Sequence, residues 1–252
     1  MQSVAEVKYT DYRCSVKEAL DKIGAAGLIA AEDKILLKPN LVNSSPPPVT
    51  TNPEFFRAVI EYVQAANPQA QIIIGEGCGD KGYETGEIFK ILGYERMAQE
   101  CGVELLDLNH APLCKKEIEG AKVFPKIYLP EIAFTHKTIS LPNLKAHSLA
   151  GITGAMKNMM GYAPPAHYDT GSWKKSFFHR QMQQSVKELN MVIPPWLSVM
   201  DASVGLADYH LGGALCDPAP ELILASFDPF ALDRRAAELL GLNWRDIGHL
   251  RD

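Results

Sequence analysis

Three short apolar runs, spaced by helix-length segments, constrain this chain more than any other feature. They are residues 34–37 (KILL), 71–74 (QIII) and 103–109 (VELLDLN). An unbroken apolar run suits a strand covered on both faces. Between the first two lies PEFFRAVIEYVQAA, ending at Ala66, with Thr51 or Asn52 placed to cap it and Pro53 at its first turn. Residues 85–101 supply a helix between the second and third. Strand, helix, strand, helix, strand at this spacing predicts parallel pairing with right-handed crossovers. Residues 4–9, 197–200 and 222–225 read as further strands, the first at an edge. Residues 15–25, 173–190 and 229–240 read as helices, and 244–250 as a terminal helical turn. Residues 115–129 change character: two short strands around Glu119 and Gly120 predict a hairpin. The expected fold is α/β, a mostly parallel sheet flanked by helices. A small antiparallel hairpin insertion falls within 112–136, and residues 1–252 form a single domain.

The stretch 138–161, TISLPNLKAHSLAGITGAMKNMMG, carries the densest chemistry. Ile139 and Leu141 begin it as a buried strand, and Pro142 suits a strand end. Lys145 and His147, two apart, share a side if the chain stays extended. Ser148 is expected to cap a helix starting at Leu149, with Leu149, Ile152, Met156 and Met159 as its apolar stripe. Thr153 and Lys157, one turn apart, would share its polar face, with Asn158 beside a flank of glycines. Free amides at such a helix start can hold an anion.

Ligands of an open parallel sheet bind outside the carboxyl ends of its strands. Lys38 and Asn40, Glu76, Lys145 and His147, Asp201 and Asp228 all fall at expected carboxyl ends. Glu76 and Gly77 open the loop GEGCGD, where backbone can approach a ligand closely. Its glycine spacing is not that of a dinucleotide fingerprint. Asp201, Asp208 and His210 form a second constellation. Asp208 and His210 could ligate a divalent metal, although GLADYHLGG is also turn composition. Asp228 and Asp233 suit a helix start. His167, within a Pro- and Gly-rich loop, 162–172, and His179, beyond it, are candidates because that loop is placed to fold over the site. Cys78 is a small residue in a tight turn and a candidate thiol.

Composition narrows the partners. A net charge of −5 gives no nucleic-acid surface. No apolar run reaches the roughly 18 residues of a membrane helix. The start, MQSVAEVKYTDYR, has no signal-peptide apolar core, so a cytoplasmic location is expected. The five cysteines, at 14, 78, 101, 114 and 216, form no CxxC pair. Structural zinc and a ferredoxin-type cluster lack their spacing.

KPNLV, LPNLKAHSLAGITGAMKNMMG, MDASVGL and ASFDPFALDRRAAELLGL occur in that order. Over residues 34–250 the chain resembles the conserved family known as domain of unknown function 362. The resemblance implies that Lys145, His147, Lys157, Asn158, Asp201 and Asp228 form the site. Some members carry a ferredoxin-like domain with clustered cysteines, which associates the family with iron–sulfur proteins. That cluster is not carried over, because this chain lacks it. Asp201-Ala202 and Leu211-Gly212-Gly213 stand where the family has Asp-Gly and then Gly-Pro.

The expected activity is that of a cytosolic enzyme acting on a small anionic substrate or cofactor. Lys145, Lys157 and the helix start at Ser148 would hold the anion, within reach of Lys38, Asn40, Glu76, Gly77 and Asn158. His147 would transfer protons, helped by Asp201 or His210. The alternative is a non-catalytic cofactor- or metal-binding module of redox-associated type. Homo-oligomerisation stays open.

Overall fold

Alternation along the strands sets the architecture. Ile35 and Leu37 join one apolar cluster and Leu36, between them, joins another. Val199 and Met200 divide in the same way, as do Ile223 and Leu224. Each strand therefore buries both faces, and helices cover the sheet on either side. The computed structural model describes residues 4–251; the first three residues of the N-terminal segment read above, and Asp252, lie outside it.

In chain order the elements begin with β1 (Ala5–Lys8), α1 (Tyr12–Lys22), β2 (Lys34–Pro39), α2 (Pro53–Ala66) and β3 (Gln71–Glu76). There follow α3 (Thr85–Ile91), α4 (Tyr94–Cys101), β4 (Glu104–Asp107), β5 (Leu113–Glu117), β6 (Lys126–Pro130), β7 (Lys137–Leu141), β8 (Asn143–His147) and β9 (Gly151–Thr153). The last are α5 (Ala155–Asn158), α6 (Pro165–Tyr168), α7 (Met182–Val192), β10 (Leu197–Leu206), β11 (Leu222–Ser226) and α8 (Pro229–Leu239). The main sheet runs β1-β11-β10-β7-β2-β3-β4. Strands β10, β7, β2, β3 and β4 are parallel; β11 pairs antiparallel with both β10 and the edge strand β1. Strands β5 and β6 form the expected separate hairpin, with Gly120 at φ 71° in its turn. Glu188 on α7 docks that hairpin by accepting the amides of Lys122, Val123 and Phe124 at 2.7, 3.0 and 2.8 Å.

Helix α2 starts as its caps dictate: Asn52 Oδ1 accepts the Glu54 amide at 2.9 Å, and Pro53 follows. Three expectations are corrected. The helix expected over 85–101 breaks into α3 and α4 at Gly93, which sits at φ 81°. The helix expected over 173–190 becomes a 3₁₀ stretch, Ser176–Gln181, followed by α7. The largest correction falls on 149–161. No helix starts at Leu149, which is half exposed. The chain instead turns at 148–150 and returns as β9, antiparallel to β8. Pro142 stands just past the end of β7, as expected, and a new strand, β8, begins beyond it alongside β10. Apolar residues at i and i+3 serve a helix stripe and a turned-back hairpin equally, and tertiary pairing decided between them.

Candidate functional site

Strands β2, β3 and β8 end at one rim of the sheet, and a cavity of about 270 Å³ opens there. That lies just under the ~300 Å³ at which small-molecule clefts usually begin, so it suits a small ligand. Four lysines line it (Lys38, Lys145, Lys157 and Lys175) with three histidines, His147, His179 and His210. Glu76 is the one carboxylate among the lining residues.

The floor is a closed polar network. Lys38 is fully buried and donates to Glu76 Oε1 at 2.8 Å, to the Pro39 carbonyl at 3.0 Å and to Asn158 Oδ1 at 3.3 Å. All three of its protons are thereby used. Glu76 also accepts the amides of Gly77 and Leu41 at 2.8 and 2.9 Å. Asn158 receives Asn40 Nδ2 at 3.0 Å and donates to the Lys38 carbonyl and Ser140 Oγ, each at 3.1 Å. Two glycines let these groups meet. A methyl on Gly161 would strike Glu76 Oε1 and Lys38 Nζ, and one on Gly77 would strike Asn109 Oδ1 and the Gly161 carbonyl.

The walls are different. Lys145 Nζ donates to Asn40 Oδ1 at 2.6 Å and the Val49 carbonyl at 2.5 Å, which leaves one proton uncommitted. Burial pulls it down to about 7, with Lys157 adding to the fall. Lys175 spends three donors on Asn109 Oδ1, the Gly161 carbonyl and the Ala163 carbonyl; burial pulls it also to about 7. Lys157 has no hydrogen-bond or ion-pair partner among the described residues. Burial and the Lys38 charge bring it to about 8. Thr153, 2 % exposed, leaves its hydroxyl unpartnered in the same lining.

His147 Nδ1 accepts the amides of Leu149 and Ala150 at 3.1 and 3.2 Å. That nitrogen therefore carries a lone pair, and the proton of the neutral ring sits on Nε2. Burial, then the surrounding cations, push its pKa far below the ordinary value. At neutral pH His147 is a fixed hydrogen-bond donor and not a proton acceptor. His210 stacks on it, centroids 3.8 Å apart, and burial brings His210 down to about 3.

The cavity gathers some of the expected site residues and leaves others outside it. Lys38, Asn40, Glu76, Gly77, Lys145, His147, Lys157, Asn158 and His210 all line the cavity. Ser148 lines its mouth but caps nothing. The helix start expected there lies instead at Ala155, and Asp233 occupies the amides of Ala155 and Met156 at 2.7 and 3.0 Å. Asp201 lies within β10, not at its end, and does not line the cavity. It accepts Tyr12 Oη at 2.9 Å and Ser203 Oγ at 2.6 Å. Asp208 and His210 do not converge as ligands: Asp208 accepts the Ala214 amide at 2.8 Å in a turn, while His210 stacks on His147. Among the described residues the grouping of metal-type ligands is Glu84, Asp107 and His110. Asp228 caps α8 through the amides of Phe230 and Ala231. His167 stacks on Tyr128, away from the cavity, so only Ser172 and Trp173 bring the 162–173 segment to it. The Cys78 thiol is buried, and burial raises its pKa.

Lys175 lines the cavity although no sequence pattern singled it out, and Thr153, read only as a neighbour of Lys157 on a helix face, lines it too. Lys175 stands in KKS beside the aromatic pair Phe177 and Phe178. A lysine next to residues that must be buried was the available signal.

Fold and site together define an α/β protein with a cationic cavity at the carboxyl rim of a mostly parallel sheet. Residues 35–238 match the family model described as domain of unknown function, DUF362, and the chain belongs to that family. The comparison with curated proteins found no match. Among the described residues, no helix is long and apolar enough to cross a membrane.

Proposed function

We propose that the cavity binds a small anionic substrate or cofactor and that the protein is an enzyme acting on it. One observation carries this reading: four lysines and three histidines face a single carboxylate, Glu76, whose oxygens already hold Lys38 and two amides. Unpaired positive charge inside a protein is costly. A bound anion would offset that cost by pairing with Lys157 and with the free proton of Lys145.

The roles of the named residues follow from their bonds. Lys157 and Lys145 hold the anion. His147 donates from Nε2 to an oxygen that gains negative charge during reaction, a form of electrostatic stabilisation. Proton transfer falls to Lys145, because a group near 7 is matched to neutral pH. Asp201 has no part in it. The five free thiols support a reducing compartment such as the cytoplasm.

The test is calorimetric titration of the untagged protein with inorganic phosphate, sulfate and short carboxylates. At least one should bind with one-to-one stoichiometry, and Lys157→Met should weaken it. Failure of all of them to bind, or equal affinity in Lys157→Met and in wild type, would overturn the reading.

A further inference from the structure

The four lining lysines are chemically unequal, and the inequality points to a reaction. Lys38 and Lys175 each commit three donors, and Lys145 commits two. Lys157 commits none to the described residues, and no carboxylate pairs with it. An anion alone could be held by ammonium groups that keep their protons. An amine without acceptors, beside a second cation, is instead the arrangement that yields a free lone pair. Next to it stand a fixed N–H donor, His147, and the unpartnered hydroxyl of Thr153.

We propose that Lys157 captures the carbonyl carbon of a short oxo acid as a Schiff base. The proposal rests on the anion-binding reading and names its substrate class. The carboxylate of the oxo acid pairs with the remaining Lys145 proton and with Thr153 Oγ1. The Lys157 lone pair attacks the carbonyl carbon, so that a C–N bond forms and the π pair moves to oxygen. His147 Nε2–H donates to that oxygen as its charge develops. The oxygen takes up the two protons that the Lys157 ammonium gives up, one before the attack and one after it; the C–O bond breaks and water leaves. The nitrogen keeps one proton and its positive charge, so ketone plus ammonium gives protonated imine plus water. No electron is gained or lost. Burial and the neighbouring Lys38 hold Lys157 near 8, which keeps an appreciable fraction of it neutral at mildly alkaline pH.

The test uses pyruvate with sodium cyanoborohydride, intact-mass measurement and peptide mapping. A single reduced adduct is expected, mapped to Lys157 and lost in Lys157→Arg, which keeps a cation but removes the nucleophile. Calorimetry with pyruvate alone separates the two readings. Binding without an adduct at Lys157 would overturn the Schiff base and leave the anion site standing. Neither binding nor adduct would overturn both. Adducts spread over surface lysines, and equal in Lys157→Arg, would also overturn it. Should Lys157→Arg fail to fold, the map of the wild-type adduct decides alone.

Discussion

Lys38, fully buried, and Lys157, partly buried, line the same cavity and differ most in what they are bonded to. Lys38 meets Glu76, Asn158 and a carbonyl, so its charge is consumed in holding β2, β3 and α5 together. Lys157 lies one residue before Asn158 on α5 and is bonded to none of these groups. The first is a lysine whose removal the fold would feel, and the second is one whose removal a ligand would feel. Burial alone does not mark a functional lysine; burial with unspent donors does. His147 repeats the contrast within one ring, with Nδ1 committed to two amides and Nε2–H open.

The contrast can be broken most forcefully at the ion pair. Glu76→Gln strips Lys38 of its counter-charge, and breaking a buried pair from one side costs about 3–5 kcal/mol. Urea denaturation should show that loss, whereas Lys157→Met should unfold at or above the wild-type midpoint. Equal destabilisation by both would erase the distinction. Gly161→Ala should resemble Glu76→Gln in kind, since the added methyl forces Lys38 and Glu76 apart.

A ligand should reverse the ranking. Loss of one charge-assisted bond is worth about 1.5–3 kcal/mol, or roughly 10- to 100-fold in affinity. Lys157→Met should weaken a bound anion by that factor in calorimetry.

The pH dependence sharpens the comparison further. Lys145 and Lys175 near 7 and Lys157 near 8 lie below their ordinary 10.5. Between those values and 10.5 the folded chain binds fewer protons than the unfolded chain, so these groups make stability rise with pH. Over the same rise through 7 and 8 the cavity loses positive charge, so anion affinity should fall. Thermal melts and titrations at pH 6.5 and 9 should therefore move in opposite directions; parallel movement would refute the assignment of these charges to the cavity.

The smallest expected effect is at Asp201. Asp201→Asn keeps a partner for Tyr12 and Ser203, so stability should change by about 1 kcal/mol or less and anion affinity not at all. A large drop in affinity would return Asp201 to the site.

The parallel core, the hairpin insertion and the α2 caps were legible because each rests on local pattern: unbroken apolar runs, a turn pair at Glu119-Gly120, and Asn52-Pro53. The basic pair Lys145 and His147 was legible because both stand two apart in an extended segment. The helix from Leu149 and its anion site were not, since the apolar spacing of 149–159 fits two conformations. The pairing of β8 with β10 and β9 chose between them. Asp201 was misplaced because the end of β10 is set by what pairs with it, and β10 runs on to Leu206.

The sequence by itself determined which segments are strands and helices over most of the chain, and it placed most of the cavity's charges. Those follow from periodicity and from residue type, which are properties of neighbours in the chain. Only the tertiary structure decided which of those charges are spent. Lys38 and Glu76 are 38 residues apart and Lys38 and Asn158 are 120 apart, and no local pattern encodes such partners. Hydrogen bonds form between groups that folding brings within about 3 Å, so whether Lys157 is free is settled by the whole fold.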